Sequence, residues 1–212
     1  MKREELIAKD LLSIKAVFLN PEHPFTWASG IKSPIYCDNR LTLSDINVRN
    51  DVENALAELI KETYPECEAV MGTSTAGIAH AALVANILNL SMGYVRSGSK
   101  DHGRGNQIEG KCEPGTKVVV VEDLISTGGS CIDVVNALRE AGAIVLGVVS
   151  IFTYGMKKAN DRFNENNCSY VSASNYDVLI DIAIKEGYID GSFKDNLLAF
   201  KDNPSDESWI NK

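Results

Sequence analysis

Apolar residues along this chain change their spacing partway through, and the change separates two kinds of structure. From Glu4 to Phe18 the positions Leu6, Ile7, Leu11, Ile14 and Phe18 recur at the intervals of one helix face. That spacing predicts an amphipathic helix over 4–18, stopped by Pro21 and Pro24. The stretch Phe25 to Tyr36 mixes β-formers with turn residues and predicts a short hairpin. Helical spacing returns over Ser44–Tyr64, with Val52, Leu56, Leu59 and Ile60 on one face and Pro65 as the stop.

Beyond residue 68, short apolar runs alternate with amphipathic segments. Strands are predicted at Ala69-Val70-Met71, Met92–Val95, Lys117–Val121, Ile144–Phe152 and near Tyr170-Val171. Between or after them lie helical patterns at Ile78–Leu88, Ser130–Ala141 (closed by Gly142) and Tyr176–Lys185. The consecutive valines 118–121 suit a strand covered on both faces. Such alternation predicts an α/β fold, a central, mostly parallel sheet flanked by helices. Ligands of such sheets sit beyond the carboxyl ends of the strands. Ser97 to Gly115 carries glycines at 98, 103, 105, 110 and 115, fits no regular element, and reads as a long loop or lid.

Composition narrows the class. With 44% hydrophobic and 24% charged residues, the chain is globular and not collagen-like, disordered or a disulfide scaffold. No window approaches the roughly 18 apolar residues of a membrane span. Met1 to Glu5 opens a charged segment rather than an apolar signal core, so no membrane association and a cytoplasmic location are the expectation. A net charge of −8 argues against nucleic acid as a partner. The five cysteines show no Cys-x-x-Cys pair, and His23, His80 and His102 show no metal-ligand spacing, so no metal-ligand set is expected.

The strongest chemical signal is Val118 to Ser130. A buried strand delivers two adjacent carboxylates, Glu122 and Asp123, and Leu124-Ile125-Ser126-Thr127-Gly128-Gly129-Ser130 leads into a helix. The glycines let backbone amides converge on an anion, and the helix start adds a favourable dipole. Ser130 is the expected N-cap. The segment is neither a P-loop nor a Gly-x-Gly-x-x-Gly dinucleotide loop. Acids beside a phosphate make sense if they face sugar hydroxyls or a cation while the phosphate lies further along the loop, so a phosphorylated ribose fits. Arg96, Lys100, His102 and Arg104 add a basic cluster to an acidic chain, suited to a polyanionic ligand.

That segment resembles the signature of type I phosphoribosyltransferases, which bind 5-phosphoribosyl 1-diphosphate (PRPP). Phe25-Thr26-Trp27-Ala28-Ser29-Gly30-Ile31-Lys32-Ser33-Pro34 and Tyr94-Val95-Arg96-Ser97-Gly98-Ser99-Lys100-Asp101-His102-Gly103 are both similar to stretches of orotate phosphoribosyltransferases. The resemblance spans roughly residues 1–190. It implies the type I phosphoribosyltransferase fold with a small N-terminal helix/hairpin subdomain. In that scheme 1–66 is a base-binding part, 67–190 a PRPP-binding core and 191–212 a tail.

The resemblance also implies transfer of the phosphoribosyl group from PRPP to orotate, with Mg²⁺. PRPP would be held by Arg96, Lys100, His102, Glu122, Asp123, Leu124, Ile125, Ser126, Thr127, Gly128, Gly129 and Ser130. Residues 126–130 would take the 5′-phosphate, Lys100 and Asp123 would be catalytic, and Ser126 would lie near orotate. A homodimer sharing its sites through loop 97–115 is implied as well. Many orotate enzymes carry consecutive basic residues where Arg96-Ser97 stands here, and some have a lysine where Ala28 stands or near Ala76.

Among other candidates, Tyr36 reads either as a base-stacking or as a packed hairpin aromatic. Trp27 reads as hairpin packing and His80 as a satisfied core histidine. Trp209, within the tail 201–212, reads as part of a surface appendage.

Overall fold

The computed structural model describes residues 1–27, 30–98 and 107–211. The N-terminal part contributes α1 (Arg3–Ser13), β1 (Val17–Leu19), β2 (Phe25–Thr26), β3 (Lys32–Ser33), β4 (Ile35–Cys37) and α2 (Ile46–Thr63). Then come β5 (Ala69–Thr73), α3 (Ala76–Leu88), β6 (Ser91–Val95), β7 (Ile108–Glu109), β8 (Lys117–Ile125) and α4 (Gly129–Glu140). The chain continues through β9 (Ile144–Thr153), α5 (Lys157–Glu165), β10 (Tyr170–Asn175), α6 (Tyr176–Lys185) and α7 (Lys194–Asp202).

Six strands form the central sheet in the order β10-β9-β8-β5-β6-β7, parallel except for β7. The connection from β5 runs through α3 to β6 on one side, and that from β8 runs through α4 to β9 on the other. Strand order therefore reverses between β5 and β8, and a crevice opens beyond their carboxyl ends.

Period-2 alternation assigns the two covered faces. Val70, Val119, Val121, Val149 and Ile151 pack with α1, α2, α3 and α6. Val118, Val120 and Val148 pack with Ile132, Val135 and Leu138 of α4 and Phe163 of α5. The valine run is covered on both sides, as its composition requires.

Several elements differ from the sequence pattern. Helix α1 stops at Ser13, because Lys15 turns left-handed at φ 57° and the amide of Ala16 donates to the Leu11 carbonyl at 2.9 Å, a Schellman closure. Phe18 then lies on a strand, paired with Tyr36. The hairpin is real for β2 and β3, but Ile35–Cys37 pairs with β1 instead. The expected featureless loop contains β7, which pairs with β6 at Tyr94–Glu109 and Val95–Ile108. Helix α5 had no clear pattern. Trp209 is no surface appendage: it is 1% exposed, meets Phe200 of α7 edge-on at 5.6 Å and belongs to the main apolar core, because packing on that ring takes it out of water.

Candidate active site

Strand β8 runs past its valines and ends at Ile125, so both acids belong to the strand and not to the turn. Glu122 is 5% exposed. Its Oε1 accepts the Asp123 amide at 2.9 Å, and the Cys131 thiol faces its Oε2 at 3.5 Å. Burial, and then the adjacent Asp123 carboxyl, push the Glu122 pKa up to about 8, with the Thr73 hydroxyl opposing the shift. Asp123 is half-buried, and its carbonyl accepts from the Asn39 amide nitrogen at 2.7 Å. Asn39 is itself buried, in the short 3-10 turn after β4.

The loop beyond β8 forms the expected cradle, with one change. The N-cap of α4 is Gly128 and not Ser130, because Gly128 takes φ 73° and lets the helix begin at Gly129. No side chain caps this helix start, so its first-turn amides point outward with the helix dipole behind them. Helix α5 lies against the back of the loop. A methyl on Gly128 would come 2.9 Å from the Phe163 ring, and one on Gly129 2.8 Å from Arg162 Nη1. Arg162 Nη1 donates to the Thr127 carbonyl at 3.0 Å.

Across the crevice, β5 ends at Thr73 and the turn after it carries Ser74 and Thr75, joined by a cis peptide. Thr75 is the N-cap of α3, whose start also has no side-chain cap. Arg96, at the end of β6, pairs with Glu109 at 3.3 Å. With Thr73, Ser74, Ser97, Ser130 and Asp133 it lines a small cavity of about 100 Å³. Arg96 and Ser130 thus meet at one mouth, whereas Lys100, His102 and Arg104 lie outside the described residues, as does Ala28.

A second cavity of about 200 Å³ opens beside Ser126, walled by Trp27, Tyr36, Cys37, Leu124 and Tyr154. Ile125 is buried and anchors the strand end through its carbonyl, which accepts from the Thr153 hydroxyl at 3.2 Å. Trp27 stacks on Tyr154 at 5.5 Å and meets Phe200 edge-on at 5.9 Å. It is therefore both hairpin packing and cavity wall. Tyr36 is 45% exposed and contacts Phe25 at 5.8 Å, so it too both packs and lines.

His80 is fully buried and its Nδ1 lies 2.7 Å from Glu53 Oε1, but its Nε2 has no partner among the described residues, so it is only half satisfied. Burial raises the Glu53 pKa. Sequence reasoning missed Asn39, Cys37, Tyr154 and Arg162. Only Asn39 carried a signal, in the polar Asp38-Asn39-Arg40 run that follows the β4 residues.

Residues 44–186 match the phosphoribosyl transferase domain family. The orotate phosphoribosyltransferase of Bacillus subtilis (strain 168) is 55% identical over 209 residues, covering 99% of this chain and 97% of that protein. Its counterpart in Bacillus pumilus (strain SAFR-032) is 58% identical over 204 residues, with 96% of each covered. The crystal structure of orotate phosphoribosyltransferase from Aeropyrum pernix aligns with a TM-score of 0.74 at 31% identity, covering 86% of this chain and 99% of that one. An open helix start beside a strand-borne acid pair, on a sheet of this topology and with this degree of likeness along the whole chain, places the protein in the orotate phosphoribosyltransferase family.

Proposed function

We propose that the chain transfers the 5-phosphoribosyl group of PRPP to a ring nitrogen of orotate, giving orotidine 5′-phosphate and diphosphate for pyrimidine biosynthesis. The observation that carries this reading is the uncapped start of α4 set directly after Glu122 and Asp123. The 5′-phosphate sits on the amides of 126–130, the ribose hydroxyls face the two acids, and orotate enters the cavity walled by Tyr36, Trp27, Tyr154 and Ser126. Residues 67–190 hold the donor, and Trp27, Tyr36 and Cys37 of 1–66 wall the acceptor together with Leu124, Ser126 and Tyr154.

The bond from the anomeric carbon to diphosphate breaks as the bond to the ring nitrogen forms, and the proton that nitrogen carried passes to the departing diphosphate. Positive charge builds on the sugar and negative charge on the leaving group. Asp123, next to the acceptor cavity, stabilises the cationic sugar. Arg96, and Lys100 and His102 by sequence, stabilise the departing diphosphate. The stacked ring of Trp27 and the half-buried rim keep water from the cation.

No group of three or more His, Cys, Asp or Glu side chains that could hold a metal exists among the described residues. Mg²⁺ keeps several waters and is carried chiefly by substrate phosphates. When bound, the ion supplies charge neutralisation on the diphosphate, and no residue here is assigned as its ligand.

The reading extends to a cytoplasmic homodimer whose 97–115 loops complete one another's sites. Among the described residues no helix is long and apolar enough to cross a membrane.

Incubation with PRPP and Mg²⁺ plus orotate, hypoxanthine or adenine tests the assignment. Orotidine 5′-phosphate from the first arm alone is expected. Product from a purine with none from orotate would refute it.

A further inference from the structure

We infer that Arg162 is a positioning residue for the 5′-phosphate of the donor, acting through the Thr127–Gly128 peptide. The inference rests on the phosphate site proposed above. A trans peptide is planar, so its carbonyl and N–H point opposite ways. Arg162 Nη1 holds the Thr127 carbonyl at 3.0 Å from the α5 side of the loop. The Gly128 N–H of that same peptide is thereby aimed away from α5, toward the open face of the cradle. The same bond keeps the carbonyl oxygen, which would repel an anion, turned from that face. The guanidinium also places a positive charge directly behind the loop, where a Cβ on Gly129 would come within 2.8 Å of Nη1. Arg162 and the glycine at 129 are therefore one device: the arginine can approach the loop only because residue 129 has no side chain.

The position of α5 is fixed independently. Arg139 of α4 donates to the carbonyls of Asn166 at 2.7 Å and Asn167 at 3.0 Å, just after α5. Arg139 ties the same two helices without touching the loop and provides the control. Loss of Arg162 should act on the phosphate site, and loss of Arg139 on stability only.

The test measures KM for PRPP, KM for orotate, the inhibition constant of ribose 5-phosphate, and Tm. In Arg162→Ala, KM for PRPP and the ribose 5-phosphate constant should rise together by ~10- to 100-fold, the loss of one charge-assisted hydrogen bond. KM for orotate should move less than about 2-fold. Arg162→Lys should recover part of the loss, and it stands in if the alanine variant fails to fold. Arg139→Gln should lower Tm with no change in either constant. Gly129→Ala should weaken ribose 5-phosphate binding less in the Arg162→Ala background than in the wild type, because the clash is gone. Unchanged ribose 5-phosphate affinity in both Arg162 variants would overturn the inference, and so would an equal rise produced by Arg139→Gln. A wild-type protein inert toward orotate would count against the proposed reaction instead, while ribose 5-phosphate binding by calorimetry would still read the role of Arg162.

Discussion

Gly77→Ala is the substitution for which the structure gives the sharpest expectation. Gly77 is the second residue of α3, and a methyl there would lie 2.4 Å from the Val121 carbonyl oxygen and 2.5 Å from Thr73 Oγ1. Ordinary contact begins at 3.4 Å, so something must move by about 1 Å. Strand β8 cannot yield, being hydrogen-bonded to β5 on one side and β9 on the other. Strand β5 is buried along its whole length. The start of α3 must therefore lift, carrying Ser74 and Thr75 with it. Overpacking of this kind costs about 1–3 kcal/mol. For a chain of this size that is a Tm loss of roughly 2–12 °C. Moving a substrate-positioning turn by ~1 Å costs roughly 10²-fold in rate. Thermal unfolding and kcat/KM for PRPP read the two effects, with Gly191→Ala as the control, since its nearest neighbour is an ordinary 3.5 Å contact with Ile184. A Gly77→Ala protein with Tm within about 1 °C and kcat/KM within about 2-fold of wild type would refute the argument.

Three other perturbations have defined outcomes. Glu122 holds its proton more tightly folded than unfolded, with a pKa of about 8 against an ordinary 4.5. Its contribution is therefore full below about pH 4.5 and is lost as pH rises to about 8. The stability of wild type relative to Glu122→Gln should fall across that window by several kcal/mol, at most ~5 from the 8 − 4.5 difference, and then level off. Urea titrations from pH 5 to 9 that gave a flat difference would contradict this. Trp209→Ala empties a site 1% exposed and should cost about 3–5 kcal/mol. Its packing on Phe200, which meets Trp27, should also raise KM for orotate more than KM for PRPP, and equal shifts in steady-state assays would disprove that link. Lys100→Ala should lower turnover by ~10²–10³ while PRPP binding measured by calorimetry falls far less; unchanged turnover would remove the lysine from the mechanism.

What the sequence made legible was whatever repeats with a period or carries a motif. The valine run, the glycine-rich turn and α6 all have local signatures, and each lies close to its expected position. Features set by distant partners were not legible. Phe18 fits the helix face of α1 by spacing, yet β4 is available to pair with it, and the tertiary partner decides. Helix α5 buries only Ala159 and Phe163, too few apolar positions to show a period, and Arg162 on it is seen as part of the site only once α5 lies against the loop. Trp209 sits in a polar tail, and nothing local reports that Phe200 of α7 is there to receive its ring. Ser130 looked like a cap because Gly128 could not be assigned φ 73° from its neighbours alone.

Two carboxylates at the mouth of a phosphate site pose an electrostatic problem that the fold answers by burial. Were both ionised, each would oppose an incoming polyanion at close range. Glu122 is enclosed by Thr73, Cys131 and its own strand, and with a pKa of about 8 it keeps its proton at neutral pH. On the proposed reading, Asp123 is the acid on the side of the acceptor cavity, where the sugar becomes cationic. Arg162 behind the loop and Arg96 in front of it supply opposite charge on the phosphate side. The site thus separates its groups along the substrate: cations at the two phosphate ends and the acid Asp123 at the reacting carbon. Ionising Glu122 above about pH 8 would blur that separation, and donor affinity should decline there before the fold is lost.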